Sequence, residues 1–516
     1  QSFLHFQRAF YIGDSTIDIQ LLTWPSKLLV PVAMTLLAIR LALNIWGYAR
    51  LALNPSLQPV AVPIMKDAAQ IAREEFSLGI ISIIGIITLV FLGVRVAFAA
   101  GFVGVVGLIV LRGWSAGGGM AGLTAHASVT HYTLSVLPMF ILIGYLAFYA
   151  GLTQGAFRCA RAWFGWLPGG LAVATVFATA GFAAVSGAST ATAAVFSRVA
   201  IPEMLKYDYD RRLAAGVVAA GGTLASLIPP SAILVIYAII VEESVGALLL
   251  AGFIPGAASA VVYAAIIIFR CKLNPSLGMP VRGLGWGERF NSIPGLLPIV
   301  VVIWIILGGI YTGWMTPTET GAVGAALIFV MAIGRRTIFG EGMTVKDFAD
   351  AMMETGKLTV MIFTIIWGVL IYVRFLGYTG LTTAFADWIV HLDMPRLAIL
   401  LLILLVYIVL GMFMDGIGML LLTLPVVHPA IMALGYDPIW FGIIVVKMVE
   451  IGLVTPPIGL NCFVVNGVRP DIPLEEVFKG IWPFVVADFI TVGILIAFPG
   501  IVLYLPELMI TNISSG

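Results

Sequence analysis

The stretch "GGTLASLIPPS" (residues 221–231) sits inside a long apolar run and ends in two consecutive prolines. Each proline lacks an amide hydrogen and disrupts the helix before it, freeing carbonyl oxygens in the preceding turn. The meaning of such a break depends on the solvent. Of 516 residues, 61% are hydrophobic and only 10% are charged, against roughly 25% charged in soluble domains. The chain is therefore read as a membrane protein.

Runs of about 20 apolar residues, long enough to cross a bilayer as a helix, occur at residues 247–269, 293–311, 397–414 and 481–505. No series of alternating ten-residue strands is present, so a β-barrel is not expected. In the membrane, irregular backbone is tolerated only where protein or a water-filled cavity satisfies it. The Pro-Pro break is therefore expected to line a site.

A second break of the same kind is "VEIGLVTPPIGLN" (residues 449–461). A shift of 227 positions superposes Pro202, Tyr209, Asp210, Val218, Pro229 and Pro230 on Pro429, Tyr436, Asp437, Val445, Pro456 and Pro457. These are six identities in 29 positions, where composition alone supplies roughly two. After a one-residue insertion, Gly252 and Pro255 match Gly480 and Pro483. The chain thus reads as two repeats.

Upstream of each Pro-Pro segment an apolar run is interrupted by small residues, "VSGAST" (185–190) in the first half and "GMFMDGIGM" (411–419) in the second. The arms 171–185 and 191–201 are too short for two comfortable spans and suit a hairpin that enters the membrane and turns back. Such a tip facing a broken helix gathers oxygens that a hard monovalent cation can use. The first half offers Ser186, Ser189, Thr190 and Thr223 with carbonyls near Leu227 and Ile228. The second offers Asp415, Thr455 and Asn461 with carbonyls near Val454. For "SGASTATAA" taken alone, close helix packing through small residues is an equal alternative.

Ionisable groups at membrane depth are costly and usually functional. Lys447 and Glu450, three residues apart, are read as a mutual ion pair. Asp415 has no base within a turn and is the charged candidate for the ion or substrate site. Glu319 in "TPTET" (316–320) is read as a helix cap, and the two Tyr-Asp pairs as membrane-surface turns. The loop 270–289 carries four bases and one acid, so it is expected in the cytoplasm. Cys159, Cys271 and Cys462 and the five histidines show no metal-ligand spacing. A net charge of +1 argues against a nucleic-acid partner. Neither a phosphate-binding GKS or GKT loop nor a catalytic constellation is present, so ATP use and enzymatic activity are not expected.

The motifs "PEMLKYDYDRRLAAGVVAAGGTLASLIPPS" (202–231), "TPTET", "GYDPIWFGIIVVKMVEIGLVTPPIGLN" (435–461) and "LPMFILIG" (137–144) resemble the large membrane subunit of the tripartite ATP-independent periplasmic (TRAP) transporters, within the ion transporter superfamily. The likeness runs from about residue 76 to 505. Residues 11–55 resemble the last helix of that family's small membrane subunit, suggesting a fusion whose earlier small-subunit helices are expected upstream. One departure is Arg95, where the family usually has Pro, so the helix break there is expected to be weaker or displaced.

The resemblance implies an all-α polytopic membrane protein with two inverted repeats, re-entrant hairpins and broken helices, divided into elevator-type scaffold and transport domains. The expected organisation is a small-subunit helix in 1–55 and a connector in 56–75. A first half follows in 76–334, with a hairpin near 171–201 and a broken helix near 221–231. An amphipathic connector in 335–357 leads to a second half in 358–516, with a hairpin near 397–427 and a broken helix near 449–461.

It further implies a sodium-driven importer in the bacterial inner membrane, taking an organic acid, a carboxylate or sugar acid, from a periplasmic substrate-binding protein. Its partners would include the rest of the small membrane subunit. Carried over by position, sodium would lie at Ser186, Gly187, Ser189, Gly222, Thr223 and Pro229, and at Asp415, Gly416, Val454, Thr455 and Pro456. Substrate would meet Ser189, Thr190, Ser231, Asp415 and Asn461. The alternative is a stand-alone ion-coupled dicarboxylate carrier or antiporter of the same superfamily.

Overall fold

A computed structural model describes residues 68–130, 132–281, 285–339 and 342–515. The chain divides into two compact units, residues 1–71 and 72–516, and the second contains both Pro-Pro segments. The expected small-subunit helix in 1–55 and residues 56–67 of the expected connector lie outside the described residues, while residues 68–75 form the first two turns of the helix that begins at Ala68.

Every regular element among the described residues is helical. The first four helices are α1 (Ala68–Phe91), α2 (Val96–Thr130, kinked at Gly113), α3 (Val136–Tyr149) and α4 (Leu152–Phe164). A first hairpin, α5 (Gly170–Ser186) and α6 (Ser189–Lys206), leads to α7 (Arg211–Thr223), a 3-10 turn (Leu224–Ser226) and α8 (Ala232–Val241). Helices α9 (Val245–Leu273), α10 (Trp286–Ser292), α11 (Leu297–Tyr311) and α12 (Pro317–Phe339) complete the first half. The second half opens with α13 (Val345–Thr379) and α14 (Leu381–Val390). A second hairpin, α15 (Arg396–Gly411) and α16 (Gly416–Ala433), precedes α17 (Pro438–Val454), α18 (Leu460–Val468), α19 (Leu474–Ala497) and α20 (Gly500–Ser515).

Among the described residues, six helices are long and apolar enough to cross a membrane, or eight if each bent pair counts as one span. The same succession of elements occurs twice. Asp210 caps α7 and Asp437 caps α17, each accepting from amides of the first turn. Pro229-Pro230 and Pro456-Pro457 are both cis and separate α7 from α8 and α17 from α18. Pro255 and Pro483 then lie inside the long helices α9 and α19.

Three expectations change in detail. The run 481–505 is two helices, because Phe498 and Pro499 interrupt it between α19 and α20. The run 397–414 is the first arm of the second hairpin. The stretch 335–357 is no separate element: it comprises the end of α12, a short link and the first turns of α13. The break near Arg95 is present without a proline, at residues 92–95, where Gly93 turns the chain with φ +86°.

The centre of the second unit is built from the two broken helices. Residues Leu213 to Thr223 of α7 and Trp440 to Val454 of α17 are buried without exception, as expected for helices apolar all round. Between apolar helices in a membrane, association rests on close packing and hydrogen bonds. Helices α7 and α19 meet this way through Gly216 and Gly480: a methyl on Gly480 would collide with the Arg212 carbonyl oxygen. The halves interlock, because α8 packs on the second hairpin's α16 while α18 packs on the first hairpin's α6. Elsewhere α2 and α3 both pack on α13, and α12 packs on α3.

Candidate functional site

The first hairpin turns at Gly187, whose φ of +62° is a left-handed conformation open to glycine at little cost. A β-carbon there would sit 2.6 Å from the Pro230 carbonyl oxygen, and the Ala232 amide donates to the Gly187 carbonyl at 3.4 Å. The tip is thus seated on the cis-proline break. Ser186 and Thr192 share a hydrogen bond of 2.8 Å across the turn. Gly222 admits the Ser189 carbonyl, which would lie 2.9 Å from an added methyl. Ser231 donates to the Ser226 carbonyl at 2.6 Å and caps α8. Ser186, Gly187, Ser189, Gly222, Ser231 and the Pro229-Pro230 break are therefore brought together. Thr190 lies in the first turn of α6, partly buried. The Thr223 hydroxyl donates to the Ala220 carbonyl at 2.7 Å and sits 3.2 Å from the Tyr263 hydroxyl.

In the second half Asp415 caps α16, accepting from the Gly418 amide at 2.9 Å through Oδ2. Gly416 packs against Val449 and Ile233, the latter from the first half's α8. The backbones of Gly411 and Gly452 touch, fixing the end of α15 on α17. Thr455, at the end of α17, donates its hydroxyl to the Ile451 carbonyl at 2.5 Å. The Val454 carbonyl is approached by Cys462 Sγ at 3.5 Å, next to the Pro456-Pro457 break. Asn461 is wholly buried and reaches into the other half, its Nδ2 lying 3.5 Å from the Ala219 carbonyl. Its Oδ1 has no partner among the described residues.

The expected pairing of Lys447 with Glu450 is not what forms. Lys447 pairs with Asp488 of α19 at 2.5 Å, and Glu450 accepts from the Ser226 hydroxyl in the 3-10 turn. Spacing along one helix decides partners on an exposed face. Here α17 is enclosed on every side, so each charge takes the polar group that its own neighbour presents. Tyr263 of α9 donates to Asp488 at 2.6 Å, and the Lys447 ammonium lies 5.3 Å from the Tyr263 ring centre. Thr223, Tyr263, Asp488 and Lys447 form one chain of contacts, each about 1% exposed or less. Sequence reasoning misses Asp488, although a signal is there: it is the only charged residue in 481–505.

Away from this centre, Glu319 and Thr316 form the expected capping contacts at 2.8 and 3.3 Å. Asp210 and Asp437 are caps as described. Tyr209, read as part of a surface turn, is buried: its hydroxyl donates to the Met279 carbonyl at 2.9 Å and accepts from the Leu171 amide at 3.1 Å. The three cysteines are buried and unpaired, and no metal-binding cluster occurs among the described residues. A cavity of 330 Å³ opens beside the first hairpin tip, with Ser186 and Ala188 in its wall.

Residues 83–501 match the family described as "Tripartite ATP-independent periplasmic transporter, DctM component". A C4-dicarboxylate TRAP transporter large permease protein of Pseudomonas aeruginosa is 35% identical over 379 residues, covering 73% of this chain and 87% of that protein. The sialic acid TRAP transporter large permease protein of Vibrio cholerae is 32% identical over 429 residues, covering 83% and 98%. The isethionate TRAP transporter permease protein DctMQ of Oleidesulfovibrio alaskensis is 29% identical over 466 residues, covering 89% and 71%. With its apolar helices and paired hairpins, the chain belongs to the DctM component family of the tripartite ATP-independent periplasmic transporters and is a multi-pass membrane transporter, not an enzyme.

Proposed function

We propose that the chain is the membrane permease of a sodium-driven importer that takes an organic acid from a periplasmic substrate-binding protein and releases it across the bacterial inner membrane. The observation that carries this reading is the seating of each hairpin against a helix broken at Pro-Pro. Backbone carbonyls and hydroxyls are hard, neutral ligands suited to a monovalent cation, and broken helices bring them to membrane depth without leaving them to lipid.

The first sodium site would be formed by Ser186, Gly187, Ser189, Gly222, Thr223 and Pro229, and the second by Asp415, Gly416, Val454, Thr455 and Pro456. Because the Thr223 and Thr455 hydroxyl hydrogens are committed to their own helices, these residues would act through oxygen lone pairs. Substrate would lie between the tips, near Ser189, Thr190, Ser231, Asp415 and Asn461. The unpartnered Oδ1 of Asn461 supports its inclusion.

The relatives named for C4-dicarboxylates, sialic acid and isethionate support an organic acid as cargo. Interlocking of the hairpins with the opposite broken helices supports their movement as one body, an elevator of two inverted repeats. Each sodium charge crossing the potential supplies about 2.3 kcal/mol per 100 mV. The longer alignment with the DctMQ permease supports reading the N-terminal residues as a fused small-subunit segment, working with the remainder of that subunit.

The test is uptake of labelled succinate, sialic acid and isethionate into proteoliposomes holding the protein and its cognate binding protein, with and without an inward sodium gradient. Wild type is compared with Ser189→Ala and Asp415→Ala. Uptake that requires both sodium and the binding protein, with a shifted sodium dependence in either variant, is the expected result. Uptake indifferent to sodium would remove the coupling. Uptake without a binding protein would leave a stand-alone carrier.

A further inference from the structure

The cavity beside the first hairpin tip has a wall of unusual simplicity. Ala188, Ala191, Val195 and Arg198 recur at three- and four-residue spacing, so they form one face of α6. This face is small and apolar from the tip until Arg198, nine residues beyond Ser189 and about 13 Å along the helix. Opposite stand Tyr145 and Tyr149 of α3, with Glu354 of α13. Glu354 is already paired with Lys357 at 2.9 Å. Arg198 is exposed and has no hydrogen-bond or ion-pair partner among the described residues.

The orientation of the hairpin says which side this cavity serves. Its base rests on the basic loop 270–289: the Gly169 amide donates to the Gly278 carbonyl at 3.1 Å, the Asp210 amide to the Leu277 carbonyl at 3.0 Å, and the Tyr209 hydroxyl to Met279. By its excess of bases that loop is cytoplasmic. Arg198 lies between the tip and this base, hence on the cytoplasmic side of the substrate position.

Resting on the transport reading, we propose that this cavity is the release vestibule of the transporter, that Arg198 receives the carboxylate of the departing substrate, and that the preferred substrate is a monocarboxylate with a compact apolar body. A guanidinium presents paired donors that match one carboxylate. The remaining walls are mainly aliphatic and aromatic faces with the Ser186 hydroxyl, and Arg198 is the one cation among the lining residues, so a second carboxylate would find no partner there. A volume of 330 Å³ suits a small acid.

The test uses the full chain in nanodiscs with saturating sodium and no binding protein. Equilibrium dialysis measures labelled 3-methylbutyrate, succinate and the neutral 3-methylbutyramide against wild type, Arg198→Gln and Arg198→Lys. The expected result is 3-methylbutyrate binding about tenfold tighter than succinate, an about tenfold loss in Arg198→Gln, partial recovery in Arg198→Lys, and no change for the amide. In inside-out vesicles, Val195→Cys should react with a membrane-impermeant maleimide and be protected by 3-methylbutyrate, the native cysteines being buried.

Equal affinity for succinate, an Arg198→Gln variant within twofold of wild type, or a Val195→Cys thiol unreactive from the cytoplasmic face would each overturn the proposal. If wild type with its binding protein takes up organic acid on sodium while Arg198→Gln still binds normally, only this inference fails. If wild type takes up no organic acid under any gradient, the transport reading itself fails.

Discussion

Replacing Lys447 by Met removes one partner of a pair in which both side chains are 1% exposed and 2.5 Å apart. The isolated attraction matters less than what remains, a carboxylate at the centre of a membrane protein with no cation beside it. Breaking a buried pair in this way costs about 3–5 kcal/mol. The Tyr263 hydroxyl, 2.6 Å from Asp488, retains its hydrogen bond and keeps the loss from growing further. Removing both charges in Lys447→Met with Asp488→Leu should restore most of the loss, because a well-packed apolar replacement is often neutral. The three buried cysteines make a thiol-reactive dye a direct reporter of unfolding. At about 1 °C per kcal/mol for a chain of this size, the single variant should melt about 3–5 °C below wild type and the double variant within about a degree of it. A single variant that melts with wild type, or a double variant that falls as far as the single, would refute the argument.

Other consequences can be checked individually. Gly187→Val places a side chain in a left-handed conformation, at about 1–2 kcal/mol, and drives it into the Pro230 carbonyl. Uptake should be lost while the protein still elutes as a single folded species, and uptake within twofold of wild type would show that the tip is not seated on the break. Tyr209→Phe leaves the Leu171 amide and the Met279 carbonyl without their partner, so a loss of about 1–3 kcal/mol is expected in thermal unfolding. An unchanged melting temperature would show that this tie does not hold the hairpin base. Between α18 and α19, the Arg469 guanidinium binds Asp471 through two hydrogen bonds of 2.8 and 2.6 Å and holds its carboxyl below the usual carboxylate range. That contribution is present above the unfolded-state value and is lost as pH falls through the folded-state value. Wild type should therefore exceed Asp471→Asn in stability near neutral pH by a small margin, as for an exposed pair, and the two should converge in acid. A gap that persists in acid would contradict the assignment.

Legible in the sequence is whatever depends on local chain chemistry. The hairpin arms at 170–186 and 189–206 lie close to the expected 171–185 and 191–201, because a small-residue interruption between two short apolar runs allows few other conformations. The Pro-Pro breaks are legible for the same reason, and Glu319 carries the local signal of a cap, whereas Asp210 and Asp437, read as parts of surface turns, prove to cap α7 and α17. Partnerships made across the fold are not legible. Lys447 has Glu450 within one turn yet pairs with Asp488, forty-one positions away, since only the packed structure places α19 beside α17. The run 481–505 reads as a single span because hydropathy does not register the interruption at Pro499. Asp415 has the look of a bare intramembrane charge, and its capping of α16 depends on the three residues that follow it. Arg198 has no mark in the sequence because its significance lies in the wall opposite.

The crossed packing of α8 on α16 and of α18 on α6 has a bearing on how such a protein can change over time. The same succession of elements occurs in each half, yet each half's break also packs against the other half's hairpin. A chimera that joins the first half of this chain to the second half of a divergent relative would face mismatches at both crossings, and also at Ser226 with Glu450 and at Asn461 with Ala219. Substitutions at these contacts in one half are thus constrained by the residues that face them in the other.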